Sequence, residues 1–230
     1  MKLAVALDLP ARESLSLIER LRNAQLDFAV KVGSAQFIES GPTFISKLKG
    51  MGLEICLDLK LHDIPNTMRE AAKRIADLGV DMLTLHASAG REAMEQVAIA
   101  IDACDHHPKL LAVTVLTSMT DDVCYDIYGM DVLNKVESFA ATAMKSGMDG
   151  FVCSVHEALI LRPVIRDLLL YVPGIRWDDT TDDQARAGTV DLAFANGADY
   201  IVVGRPIYNH PEPEKITKQI LNKIEGLKPQ

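Results

Sequence analysis

The residues with the clearest chemical potential sit in "EICLDLKLHD", residues 54 to 63. Read with the period of a strand, Asp58, Lys60 and His62 fall on one side, while Ile55, Leu57, Leu59 and Leu61 fall on the other. Carboxylates, an ammonium and an imidazole gathered on one face are groups that can carry chemistry. A half-exposed strand at a sheet edge would show the same alternation, so the surroundings must decide. Asp8, Lys31, His86, Arg176 and Arg205 lie at or just beyond the ends of other apolar runs. If those ends converge, Lys31, Asp58, Lys60 and Asp63 form an alternating charge network. Ionised groups in a poorly hydrated site are costly unless paired. Ion pairs that merely brace the fold are the alternative, but buried pairs are poor stabilisers and perturbed charges gather at functional sites.

The elements that would make those ends converge are legible as a weak internal repeat. "AQLDFAVKVG", "MGLEICLD", "LGVDMLTLHA", "SGMDGFVCS" and "NGADYIVVG" each join a helix end to a short apolar strand, and Asp27, Glu54 and Asp81 recur at intervals of 27 residues. Glycine suits the left-handed position that ends a helix, and the spacing suits one βα unit. Strands are expected near 3–9, 28–33, 54–60, 82–87, 109–116, 150–154, 168–173 and 200–204. Amphipathic segments such as "NTMREAAKRIADLG" and "KVESFAATAMKSG" separate them. Eight strands alternating with eight helices predict an α/β fold, a (β/α)8 TIM barrel forming a single domain over residues 1–230. An open doubly wound sheet shares the alternation and stays open at this point. In a barrel the apolar row from Ile55 to Leu61 packs outward, Asp58 and Lys60 point inward, and the C-terminal strand ends carry the site.

At 230 residues, with 48% hydrophobic and 24% charged, the chain matches one globular α/β barrel. A net charge of −8 argues against a broad nucleic-acid footprint, so an anionic ligand must rely on local positive charge. Cys56, Cys104, Cys124 and Cys153 are scattered without metal or disulfide spacing and read as buried free thiols. Neither a signal peptide nor an apolar run of roughly 18 residues is present, which predicts a cytoplasmic protein without membrane contact.

Two further stretches invite a phosphate. "YIVVGRPIYN", 200 to 209, places Gly204 where backbone can approach a ligand and Arg205 where a guanidinium can offer paired donors. "VPGIRWDDTTDDQAR", 172 to 186, suits a long loop closing over a ligand, with Arg176 and Gln184 as candidate phosphate contacts. A surface arginine and a solvated connector are the plain alternatives. His62 and His86 with nearby aspartates form a weak candidate for a divalent cation; His106, His107, His156 and His210 have no spaced partners that suggest a metal set.

Taken together, "DLKLHDIPNT" (58 to 67), "VTVLTSM" (113 to 119), "PGIR" (173 to 176) with Gln184 downstream, and "VVGRPI" (202 to 207) closely resemble the orotidine 5'-phosphate decarboxylase family. The likeness runs from "VALDLP" at residue 5 to the final helix. It implies that Asp8 and Lys31 hold the ribose, that Asp58 faces the substrate carboxylate, and that Lys60 is the proton donor. Asp63, Ile64 and Thr67 would reach into a partner subunit's site, which implies a homodimer. Thr117 and Ser118 would contact the pyrimidine; Arg176, Gln184, Gly204 and Arg205 would hold the 5'-phosphate. Trp177 departs from the family pattern, where proline is favoured after "PGIR", and bears on the shape of the closing loop.

The implied reaction converts orotidine 5'-phosphate to UMP and carbon dioxide, the last step of de novo UMP synthesis, without metal or organic cofactor. Relatives sharing the D-x-K-x-x-D spacing, such as 3-keto-L-gulonate 6-phosphate decarboxylase or hexulose phosphate synthase, would instead use Mg²⁺. "HDIPNT" and "LTSM" argue against them. A catalytically silent barrel that binds a nucleotide or sugar phosphate is a third reading, opposed by the presence of both lysines and all three aspartates.

Overall fold

Short parallel strands paired in chain order close into a barrel in the computed structural model, which describes residues 1–177 and 188–227. They are β1 (Lys2–Ala6), β2 (Ala29–Gly33), β3 (Ile55–Leu61), β4 (Met82–His86), β5 (Lys109–Val113), β6 (Gly150–Val152), β7 (Leu169–Val172) and β8 (Tyr200–Val203). Pairing of β8 with β1 through Leu3↔Ile201 and Val5↔Val203 closes the ring and excludes the open sheet. Between strands lie α1 (Ala11–Asn23), α2 (Ser34–Gly50), α3 (Pro65–Ala76), α4 (Arg91–Asp102), α5 (Asp121–Tyr128), α6 (Val132–Lys145), α7 (Val155–Ile165) and α8 (Val190–Ala195), and β8 is followed by α9 (Arg205–Tyr208). The last helix is α10 (Pro213–Gly226). Beyond the expected eight, α5 and the four-residue α9 are additions to the loops after β5 and β8.

Alternation along each strand sorts the core into two shells. Ala4, Ala6, Ala29, Cys56, Met82, Leu111, Val113, Val152, Tyr171, Tyr200 and Val202 pack together inside the barrel. Their sequence neighbours, including Val5, Val30, Ile55, Leu83, Ala112 and Ile201, join the apolar faces of the helices. On α3 that face is Met68, Ala72, Ile75 and Ala76, and Pro65 opens the helix where its missing N–H costs nothing. Of the four cysteines, Cys56, Cys124 and Cys153 are buried and Cys104 only partly, and all four are free thiols.

Several strands end earlier than the apolar runs suggest, because caps take over. Ser154 and Glu157 form a capping box that starts α7 two residues after β6, and Pro10 leads into α1 soon after β1. The repeat has a physical basis at the other end of the barrel. Gly52, Gly79, Gly147 and Gly197 all take positive φ after their helices, and Gln25 takes the same conformation in the first unit. Asp81, Asp149 and Asp199, each just before a strand, accept the backbone N–H of Ile55, Leu110 and Leu170 on the preceding one, at 2.7, 2.9 and 2.8 Å. Lys49, Lys109 and Arg162 pair with these same carboxylates.

One strand breaks its own pattern. Leu57 pairs with Leu83 and Leu61 with Leu85, so three residues of β3 face only Thr84 on β4. Within this bulge Lys60 has φ of 51°, a left-handed backbone conformation uncommon for a non-glycine residue. The expected outward row is therefore uneven: Ile55 and Leu57 are buried, while Leu59 and Leu61 are only partly so.

Candidate active site

The C-terminal ends of the strands surround a cavity of about 270 Å³. β1, β2 and β3 contribute its charged wall. Beyond the last inward alanine of β1, Asp8 places Oδ1 3.1 Å from Lys31 Nζ of β2. Lys31 Nζ lies 3.5 Å from Asp58 Oδ2, and that same oxygen accepts from Lys60 Nζ at 2.7 Å. Asp58 Oδ1 accepts the Thr84 hydroxyl at 2.8 Å. The result is an unbroken alternation of carboxylate, ammonium, carboxylate and ammonium along one rim, as the inward phase of the strands predicts.

The electrostatics follow from burial set against pairing. Burial opposes the Asp58 carboxylate, but Lys31, Lys60 and the donated hydrogen bonds outweigh it and hold the group below the usual range. For Lys31 burial again works against charge, and Asp58 followed by Asp8 overcomes it, raising the ammonium above its ordinary value. Deeper in the barrel the groups are neutral. Burial, reinforced by Asp58, pushes the Cys56 thiol up to about 12, and burial lifts the Tyr171 phenol well above its usual value.

Ala6, Val152, Tyr171 and Val202 of the strands also line the cavity, and the rest of the lining comes from the loops. Leu116, Thr117 and Ser118 follow β5; Pro173, Gly174 and Arg176 follow β7; Gly204, Arg205 and Tyr208 follow β8. A Cβ at Gly204 would stand 3.3 Å from both Ala6 Cβ and Tyr208 Cε1, closer than packing normally allows, so glycine here preserves the approach of β8 to β1. Arg176 is held by a backbone bond from its N–H to Gly188 O at 2.9 Å, beside the Ile175↔Gly188 bridge. Trp177 lies beneath the ammonium of Lys223 on α10, 5.9 Å from the ring centre. Gln184 lies outside the described residues.

Asp8, Lys31, Asp58, Lys60, Thr117, Ser118, Arg176, Gly204 and Arg205 therefore share one cavity. Asp63, Ile64 and Thr67 do not line it. Asp63 accepts the Ile64 N–H at 2.7 Å in the turn before α3, and Ile64 is 66% exposed. His86 is also absent from the lining; its ring meets that of His62 edge to face at 5.3 Å. No cluster of three or more His, Cys, Asp or Glu side chains suited to a metal occurs among the described residues, so the His62 and His86 cation reading finds no third ligand there. Tyr171, Pro173 and Tyr208 line the cavity without having been singled out from the sequence, and Thr84 supports it from behind. The phase of "MLTLH" carried the signal for Thr84: Met82 points inward, so Thr84 must too. No helix among the described residues is long and apolar enough to cross a membrane.

Comparison with known proteins identifies the family and supports the fold. The model of the "Orotidine 5'-phosphate decarboxylase / HUMPS family" matches residues 1–220. An orotidine 5'-phosphate decarboxylase of Nautilia profundicola is 43% identical over 230 residues, covering 99% of this chain and all of the relative. One from Sulfurimonas denitrificans is also 43% identical, covering 97% of this chain and all of the relative. The crystal structure of orotidine 5'-phosphate decarboxylase from Lactobacillus acidophilus superposes with a TM-score of 0.85 at 36% identity, over 96% of this chain and 98% of that one. With a charged rim on β1 to β3, arginines after β7 and β8, and this likeness along nearly its whole length, the chain belongs to the orotidine 5'-phosphate decarboxylase / HUMPS family.

Proposed function

We propose that the protein decarboxylates orotidine 5'-phosphate to UMP and carbon dioxide in pyrimidine biosynthesis. The observation that carries this reading is the contact of Lys60 with Asp58 at the cavity edge, in a chain whose relatives bear that activity in their names. Loss of carbon dioxide breaks the bond between C6 and the carboxylate carbon, and the electron pair stays on C6. The pyrimidine ring offers that pair no sink, so a fixed positive group must face it. Lys60, oriented by Asp58, stabilises the carbanion, transfers a proton to C6 and regains one from water.

Asp8 and Lys31 are suited to the ribose hydroxyls, Thr117 and Ser118 to the polar edge of the base, and Arg176, Arg205, Gly204 and Gln184 to the 5'-phosphate. Phosphate binding far from C6 would contribute to organising the site before chemistry. In this reaction every step uses a side chain and needs no metal or organic cofactor. Asp63, Ile64 and Thr67 complete the site of a partner subunit in a homodimer. Their exposure in the single chain and their absence from its own cavity lining support that role.

Incubation with orotidine 5'-phosphate tests the activity: ultraviolet absorbance of the orotate ring falls as UMP forms, and an unchanged spectrum at high enzyme concentration refutes the reading. Subunit mixing tests the shared site. Lys60→Ala and Asp63→Ala homodimers are each impaired, whereas one site of their mixed dimer has both wild-type groups, so remixing recovers about a quarter of wild-type sites. If Asp63 served its own chain, remixing would recover nothing.

A further inference from the structure

We propose that Thr84 is a positioning residue for proton transfer by Lys60, tying the bulge of β3 to β4 so that Asp58 and Lys60 reach the cavity as one unit. The inference rests on the decarboxylase reading of the site and adds a residue that does not line it.

Thr84 is fully buried and is the one residue of β4 opposite the three residues, Asp58 to Lys60, over which the β3 register slips. Its Oγ1 accepts the backbone N–H of Lys60 at 2.9 Å and donates to Asp58 Oδ1 at 2.8 Å. These directions are fixed by chemistry, because an amide N–H can only donate, a carboxylate can only accept, and a hydroxyl can do both at once. The other Asp58 oxygen accepts from Lys60 Nζ at 2.7 Å and lies 3.5 Å from Lys31 Nζ. A closed ring results, running from the Thr84 hydroxyl through the Asp58 carboxylate to Lys60 Nζ, down the lysine side chain to its own N–H, and back to Thr84.

The ring explains how an unfavourable backbone is held. Lys60 has φ of 51°, a conformation that persists in a non-glycine residue only where its surroundings over-determine it. The regular ladder is missing at this point, so the Thr84 hydroxyl supplies what the ladder would have supplied. It also stops the carboxylate turning, since rotation of Asp58 would break either its Thr84 bond or its lysine contacts. Removing the hydroxyl would leave a buried carboxylate oxygen and the Lys60 N–H without this partner and let the ammonium drift from C6.

Thr84→Val retains the branched shape and deletes the hydroxyl; Thr84→Ser retains the hydroxyl and deletes the methyl. For Thr84→Val we expect kcat with orotidine 5'-phosphate to fall roughly ten- to hundredfold while KM changes little, the loss of a hydrogen bond to a charged group expressed in the chemical step. Thr84→Ser should recover most of the turnover. Asp58 is faced by Lys31 on β2, by Cys56 and Lys60 on β3, by His86 on β4 and by Tyr171 on β7. With those groups unchanged, loss of its Thr84 donor should move the acid limb of the kcat profile to higher pH in the valine variant alone.

A separate readout needs no turnover. With ¹³Cε-labelled lysine, the Lys60 resonance, assigned by its loss in Lys60→Ala, should shift in Thr84→Val and stay near its wild-type position in Thr84→Ser. If Thr84→Val does not fold, Thr84→Ala takes its place in both comparisons, and collapse of both beside a folded Thr84→Ser with displaced resonance would overturn the proposal. Equal loss of melting temperature in the valine and serine variants, with kcat, pH limb and resonance unmoved, overturns it as well. A wild-type enzyme inert toward orotidine 5'-phosphate would instead remove the decarboxylase reading, and the resonance would still decide whether Thr84 positions Lys60.

Discussion

Lys60 Nζ sits 2.7 Å from Asp58 Oδ2, although the two residues lie within a break in strand register and Lys60 has a left-handed backbone. Their contact is therefore made by the bulge and the hydroxyl behind it, in addition to the simple alternation of a strand. It places a paired ammonium at the cavity edge, where a bare one would carry a desolvation cost.

Lys60→Ala should lower kcat by at least roughly a thousandfold, since under the proposed mechanism it removes both the proton donor and the charge facing C6. Lys60 is partly exposed and outside the apolar core, so circular dichroism should remain that of the folded barrel. A variant that keeps more than a tenth of the wild-type rate would remove Lys60 from the mechanism. Dialysis of the wild-type enzyme against EDTA should leave its rate unchanged.

Arg205→Ala should act on substrate capture. Loss of charge-assisted bonds to phosphate is worth about 1.5–3 kcal/mol, or roughly ten- to a hundredfold in kcat/KM. Steady-state kinetics at several substrate concentrations separate this from a defect in chemistry. An unchanged kcat/KM would refute the assignment.

His86 gives stability a pH dependence. Burial, followed by the neighbouring His62 and Lys60, depresses its imidazole to about 4 from an ordinary 6.5. Between those values the unfolded chain binds the proton and the folded one does not, so this contribution is full above pH 6.5 and is lost as the pH falls towards 4. After allowance for screening at a partly exposed ring, the effect is at most about 2 kcal/mol. Urea midpoints measured at pH 7 and pH 5 should differ less in His86→Asn than in the wild type; an equal difference would show that His86 does not contribute.

Asp81→Ala should lower stability by about 1–3 kcal/mol, because the Ile55 N–H and Lys49 both lose their acceptor. These contacts lie at the end of the barrel away from the cavity, so kcat at a temperature where both proteins are folded should not change. Thermal melting paired with turnover at about 25 °C tests both halves.

The barrel was legible because its signals are local and repeated: apolar runs of strand length, glycines after helices, and acidic residues before strands. The convergence of Asp8, Lys31, Asp58 and Lys60 followed once closure was assumed, because period two fixes which side chains face inward. The bulge was hidden for the same reason. Two extra residues leave the parity of β3 unchanged, so "LDLKL" reads the same with or without them. Thr84 escaped notice because a single threonine within an apolar strand normally signals little, and only its position opposite the bulge gives it a task. Strand ends were overrun where Ser154 or Pro10 starts the next helix, since apolar character continues past the last ladder bond. The role proposed for Asp63, Ile64 and Thr67 depends on a second chain, which a single sequence does not display.

The aspartates that clasp neighbouring strands, with their partners Lys49, Lys109 and Arg162, sit at the opposite end from the charged rim of the cavity. Selection can therefore act on the two ends separately. A lineage moving into a hotter or colder habitat could exchange these cations and retune its tolerance of heat, leaving the catalytic rim to drift on its own schedule.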